Sequence, residues 1–247
     1  MKIEYHKWAS PNLNNEMELK IYGQKGKPFL VFPCAGGSFH EFEDFGMVEA
    51  TRPFIENGLV QFFTVGSMDN QSWLNSSGWA SDRAKRHEDY DRYIVKEVVP
   101  FIHKQSCESG GIGLYGCSLG GYHALNFLLR HPDLFDASIA LSGIYRLSYL
   151  IGDYMDNNVY YNSPINFLPN LDESWYLDQI RKASIVVCCG QGAWENESLA
   201  DTTALKEIFE KKRIPAWVDI WGHDVNHDWP WWRKQLPYFL GHLLEQK

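Results

Sequence analysis

Six short, largely apolar runs restrict the architecture of this chain more than any other feature. They are Phe29-Leu30-Val31-Phe32, Leu59 to Val65, Ile112-Gly113-Leu114-Tyr115, Ala137 to Leu141, Ile185 to Cys189 and Ala216 to Ile220. Strands that read as continuous apolar runs are buried on both faces, as in a parallel sheet covered by helices. Glu16 to Tyr22 alternates instead, as a half-buried strand does. Helical patterns fill the intervals. Asp82 to Lys104 sets Tyr90, Tyr93, Ile94, Val98 and Phe101 at helical spacing, with Pro100 expected to kink or end it. Ser118 to Arg130 carries Tyr122, Leu125, Leu128 and Leu129 on one stripe and stops at His131-Pro132. Ser198-Leu199-Ala200-Asp201 reads as a capping-box-like helix start, and Lys211, Lys212 and Arg213 suit the carboxyl end of that helix. A last helix begins after Asp228 and contains Pro237. Alternating strands and helices define an α/β layered fold with a mostly parallel sheet.

The 247 residues suit one such domain, since α/β folds of ~200–250 residues are often undivided. No repeat or linker divides residues 1–247. Residues 145–173, rich in Tyr, Asn, Asp and Pro, fit no regular pattern and read as a lid or substrate loop, or as a surface excursion. Aromatic residues make up 15% of the chain, which excludes disorder. Lys plus Arg number 23 against 31 Asp plus Glu, a net charge of −8 that argues against nucleic-acid binding. The basic runs Arg83 to Arg86 and Lys211 to Arg213 read as solvated helix faces or ends. The five cysteines, Cys34, Cys107, Cys117, Cys188 and Cys189, form no C-x-x-C pair, so neither a zinc ribbon nor a disulfide framework is indicated. Cys188 and Cys189 read as small core residues. The first residues lack an apolar signal region, and no run approaches the ~18 apolar residues of a membrane span. The expectation is a cytoplasmic protein without cofactor or metal, acting on a small molecule, with self-association left open.

Chemistry enters at Gly116-Cys117-Ser118-Leu119-Gly120, a G-x-S-x-G motif with an apolar strand before it and an amphipathic helix after it. That context is the one a nucleophile elbow needs. The chain must reverse sharply with the serine strained, so its flanking residues must be minimal. The alternative is a tight glycine turn with an idle serine. The overlapping Gly111-Ile112-Gly113-Leu114-Tyr115-Gly116 matches G-x-G-x-x-G, but its glycines lie before and within the strand, whereas dinucleotide sites carry them after it. Cys117 precedes the elbow tip and is expected to point elsewhere.

A serine needs a base, and the base an orienting acid. α/β-Hydrolases supply them in the chain order serine, acid, histidine. After Ala216 to Ile220 come two histidines, His223 and His227. Their i,i+4 spacing would suit a metal on a helix, but Gly222 and Pro230 bracket a loop. After Ile185 to Cys189 the loop Gly190-Gln191-Gly192-Ala193-Trp194-Glu195 offers Glu195 as acid, with Glu197 and Asp201 in reserve. Oxyanion donors would be the N–H of Leu119 and one from Ala35 or Gly36, in the small-residue loop after the strand Phe29 to Phe32.

The stretch from Gly116-Cys117-Ser118-Leu119-Gly120-Gly121-Tyr122-His123-Ala124 through His131-Pro132-Asp133-Leu134-Phe135, then Ala140-Leu141-Ser142-Gly143, resembles the putative esterase family. This is the esterase D-like branch of the α/β-hydrolases. His227-Asp228-Trp229 with Trp232 resembles that family's histidine segment, where a Trp follows five positions on. That register implies His227 as the base. Two features depart from the family pattern: Pro33-Cys34-Ala35-Gly36-Gly37 replaces the common His-Gly pair, and the acid loop is longer than the Gly-x-x-Asp form. The resemblance covers roughly residues 20–245. It implies a three-layer α/β-hydrolase fold with a mostly parallel central sheet. It also implies a serine-dependent carboxylic ester hydrolase working through an acyl-enzyme, with Ser118, Glu195 and His227 as triad. An acyltransferase with the same triad, or a catalytically silent binding protein on this fold, are the alternatives.

Overall fold

A computed structural model describes residues 1–106 and 110–245; Cys107 lies outside the described residues. Eight strands form one sheet: β1 Ile3–Ser10, β2 Asn15–Tyr22, β3 Lys27–Phe32, β4 Val60–Val65, β5 Ile112–Cys117, β6 Phe135–Leu141, β7 Ser184–Cys189 and β8 Ala216–Ile220. Their order is β1-β2-β4-β3-β5-β6-β7-β8. β1 and β2 pair antiparallel, as do β2 and β4. All other neighbours are parallel. The six apolar runs are the six strands of the parallel part.

Alternate strand residues feed two separate cores, one on each face. Leu30, Phe32 and Leu114 pack with Ile94, Leu125 and Phe127 of the helices Ala80–Tyr93 to Val99–Gln105 and Leu119–Arg130. On the opposite face Val31, Tyr115 and Ile139 meet Phe42, Leu236 and Phe239, the last two from the C-terminal helix Trp229–Glu245. Because β5 is central, covered on both faces and wholly buried, its C-terminal end is firmly held and suits the mounting of a reactive side chain.

Several expectations needed correction. β1 carried no apolar pattern because its faces are inverted. Ile3 and Tyr5 are exposed, while His6 and Trp8 turn inward against Phe101. Pro100 neither kinks nor ends its helix alone. A π-helical turn, Ile94–Val98, precedes it, and Pro100 sits at the start of Val99–Gln105, where its missing N–H is tolerated. Arg83 is buried, not solvated, and its guanidinium donates to the carbonyls of Ser72, Trp73 and Leu150. The helix expected to start at Ser198 is Asn196–Lys212, and Ser198 Oγ donates instead to Ser142 O at 2.9 Å.

Residues 145–173 are not irregular. They fold into short turns, Ser148–Ile151, Asn157–Tyr161, Pro164–Phe167 and the 3-10 turn Leu168–Asn170. Turns of three to five residues are too short to show a helical period. Asn162, fully buried, pins the excursion to the domain. Its amide donates to Glu88 Oε1 at 2.6 Å and accepts from Asn126 Nδ2 at 2.9 Å. Leu147, Ile151 and Val159 pack with Leu119 and Tyr122 at the start of the helix that follows Ser118.

Among the described residues, no helix is long and apolar enough to cross a membrane.

Candidate active site

Ser118 lies between the end of β5 and the helix Leu119–Arg130, at φ 56° and ψ −126°. A non-glycine residue with positive φ is strained, and the surroundings must hold it there. They do so by close approach. A Cβ on Gly116 would lie 2.2 Å from the Gly120 backbone, and one on Gly120 would lie 2.5 Å from the carbonyl oxygens of Phe32 and Pro33. Ser118 N–H donates to Leu141 O at 2.9 Å. We expect Gly116→Ala to destabilise the fold by about 1–3 kcal/mol, the cost of overpacking. A fall in thermal midpoint, together with a fall in reactivity at Ser118, would be the measured result.

The loops after β3, β5, β6, β7 and β8 all emerge at the carboxyl ends of the parallel strands, where open α/β sheets bind ligands. Three of the expected residues converge there. His227 Nε2 lies 2.9 Å from Ser118 Oγ, and His227 Nδ1 lies 3.4 Å from Glu195 Oε2. The carboxylate selects the tautomer with the proton on Nδ1, so Nε2 accepts from the serine hydroxyl. The 3.4 Å contact is long, as catalytic hydrogen bonds often are before substrate binds.

Glu195 is 1% exposed. Its Oε1 accepts from Ser142 Oγ at 2.6 Å and from Gly190 N–H at 3.3 Å. Ser142 in turn accepts from Trp232 Nε1 at 3.0 Å, and the Trp232 ring stands edge-on to His227 at 5.1 Å. Sequence reading missed the role of Ser142. It also took Trp232 only as part of a resemblance. Donors aimed at one carboxylate oxygen leave the other for His227.

The alternative residues are elsewhere. His223 is exposed, and so is Glu197. Asp201 is buried but accepts from the N–H groups of Tyr145 and Arg146 and from the Arg146 side chain. It anchors the 145–173 excursion, and burial pushes its carboxyl up from the usual range. Cys117 is buried beside Tyr115, whose hydroxyl lies 2.8 Å from its Sγ; burial drives its thiol far up and makes it a poor nucleophile. Cys34, Cys117, Cys188 and Cys189 are free thiols.

The long acid loop has a structural reason. It zips onto the histidine loop: Gln191 N–H donates to Gly222 O, Gly192 N–H to Val225 O, and His227 N–H to Ala193 O at 2.9 Å. Ala193 N–H donates to Asn226 Oδ1 at 2.8 Å. The acid and the base are thus carried on one interlocked pair of loops.

Of the expected oxyanion donors, Leu119 N–H opens the elbow helix. In the loop after β3, Gly36 N–H donates to Asp69 Oδ2 at 3.3 Å. Ala35 is exposed, and its N–H has no acceptor among the described residues.

This layered sheet, with Ser118 on the turn after β5 and the Glu195 and His227 loops after the last two strands, has the α/β-hydrolase fold. Solved structures agree on the fold. A ferulic acid esterase superposes with a TM-score of 0.77 at 18% identity, covering 99% of this chain and 97% of that one. MPT51 (FbpC1) of Mycobacterium tuberculosis gives 0.76 at 14% identity, covering 99% and 98%. The S-formylglutathione hydrolase FrmB of Staphylococcus aureus gives 0.68 at 14%, covering 98% and 97%. No curated protein matches the sequence significantly. The "Putative esterase" family model matches residues 10–243, and the chain belongs to that family. It is on that ground an enzyme of the esterase class.

Proposed function

We propose that the protein hydrolyses a small carboxylic ester through an acyl-enzyme on Ser118, with His227 as general base and acid and Glu195 as its orienting carboxylate. The observation that carries this reading is the continuous chain Ser118 Oγ, His227 Nε2, His227 Nδ1, Glu195 Oε2, at 2.9 and 3.4 Å. Ser118 Oγ attacks the ester carbonyl carbon as His227 takes its proton. Buried Glu195 steadies the imidazolium. The carbonyl oxygen, now negative, receives the N–H groups of Leu119 and Ala35, which are worth far more in a water-poor site than in solution. Collapse expels the alcohol, which takes the proton back from His227. Water then repeats the sequence on the acyl-enzyme and releases the acid. We read residues 145–173 as the lid or substrate segment of one hydrolase domain, a reading supported by the packing of Leu147, Ile151 and Val159 on Leu119 and Tyr122.

The test is a fluorophosphonate probe with an ester panel. Labelling at Ser118 with turnover of esters supports the reading, and labelling without turnover of any ester would assign a silent binding protein. Transfer of the acyl group to an added alcohol in preference to water would assign acyl transfer to the same residues.

Glu195→Gln is expected to lower kcat by about 10³–10⁴, the scale of losing an orienting carboxylate. Its amide would also set an N–H₂ group against His227 or against the donors Ser142 and Gly190. Glu197→Gln should retain near-normal rates in the same assay, because that side chain is exposed. The reverse ranking would move the acid to Glu197.

A further inference from the structure

The loop after β3 is held by carboxylates on two sides. Cys34 N–H donates to Glu41 Oε1 at 2.7 Å, and Gly36 N–H donates to Asp69 Oδ2 at 3.3 Å. Gly37 N–H turns back to Cys34 O at 2.9 Å, which closes the loop. Between the two clamped groups lies the N–H of Ala35, which meets no acceptor among the described residues.

Asp69 does more than satisfy the loop. It is 1% exposed, and its other oxygen, Oδ1, meets His123 Nε2 at 2.9 Å. His123 is fully buried on the elbow helix Leu119–Arg130. Its ring is gripped by Phe32 at 5.6 Å and by the stacked ring of His87 at 5.4 Å. One carboxylate therefore ties the β3 loop to the helix whose first N–H is that of Leu119. Those are the two places from which the oxyanion donors come.

Electrostatics makes this arrangement informative. An unpaired carboxylate close to a developing oxyanion would oppose it. Both Asp69 oxygens are engaged, one by Gly36 N–H and the other by His123 Nε2. Glu41 accepts Cys34 N–H, and burial raises its carboxyl above the usual range.

We propose that Asp69 and Glu41 are positioning residues for the oxyanion hole. They clamp the loop on either side of Ala35 so that its N–H is presented, and the Asp69–His123 pair sets its spacing from Leu119 N–H. This rests on the Ser118–His227–Glu195 reading and goes beyond it, since both acids act through the loop backbone that they bind.

The experiment compares Asp69→Ala and Asp69→Asn with wild type on a short-chain p-nitrophenyl ester, each rate divided by the active sites titrated with a fluorophosphonate. Asp69→Ala should lower kcat per titrated site by about 10- to 100-fold, the scale of a donor misplaced by ~1 Å, with KM within about threefold. Asp69→Asn should recover most of that loss, because its amide oxygen still accepts from Gly36. A purely structural role would lower the number of titratable sites or the thermal midpoint and leave kcat per site unchanged. That result overturns the proposal, as does an Asn variant impaired as severely as the Ala variant. If Asp69→Ala yields no titratable sites, Glu41→Ala and Glu41→Gln make the same comparison from the other side of the loop, with the same criteria. Ser118→Ala is the control. Full activity in that variant overturns the triad reading itself, whereas loss there with unchanged kcat in Asp69→Ala overturns only the clamp.

Discussion

Ser118→Ala is expected to lower kcat by roughly 10⁴–10⁶ while leaving the fold intact, the scale seen when a triad serine is removed. The loss is large because, in the proposed mechanism, every other group at the site acts through that oxygen. There His227 would have no serine hydroxyl to deprotonate, and the N–H groups of Leu119 and Ala35 no serine-derived tetrahedral intermediate to receive. Residual turnover over the uncatalysed rate would come only from substrate binding and from those donors acting on attack by water. The fold should survive because Ser118 packs no core. Its backbone bond to Leu141 O does not involve the hydroxyl, and alanine meets no tighter space than serine. The measurement is kcat on the best ester of the panel together with a thermal melt. A variant that melts like wild type and retains wild-type kcat would remove Ser118 from the mechanism.

The second large effect separates the two histidines. His227→Ala should slow covalent labelling of Ser118 by a fluorophosphonate by about 10²–10⁴, the usual contribution of a positioned general base. His223→Ala should label at close to the wild-type rate, since substitutions at exposed positions cost little. The physical difference lies in how each ring is held. His227 has its backbone N–H fixed on Ala193 O and its ring against Trp232, with the buried Glu195 carboxylate beyond Nδ1. His223 is exposed in the same loop, where no comparable support orders it. Because the probe reacts only with an activated serine, its rate reports the base directly, without dependence on which ester the enzyme prefers. Fast labelling in His227→Ala with slow labelling in His223→Ala would place the base at His223 instead.

How much of this was readable in advance depended on the range over which each feature is encoded. The parallel strands β3 to β7 were legible because burial on both faces removes polar alternation. β1 was not, because its apolar residues Ile3 and Tyr5 face solvent and its inward face carries His6 and Trp8. The excursion at 145–173 escaped because its turns are shorter than one helical period can reveal. Arg83 looked like a solvated charge in a basic run. Only the three carbonyls gathered around it explain its burial.

The sequence by itself determined the elbow. The steric demand for minimal residues around Ser118 is met within five consecutive positions, so Gly116 and Gly120 announce the turn without help from the rest of the chain. It also determined the layered α/β class and the order in which serine, acid and histidine must appear. Tertiary structure brought His227, which the family register had implied over His223, to the serine across 109 residues. It likewise brought Glu195, the first of three acids the sequence offered, to the imidazole, and tied the N–H of Gly36 to Asp69 while that of Ala35 meets no acceptor among the described residues. These choices rest on how loops from separate strands zip together and on partners such as Ser142, Trp232 and Asp69, each distant in sequence from the group it holds. A side chain's type is a local property. Its hydrogen-bond partner, at distances near 3 Å, is set by packing that no single segment contains.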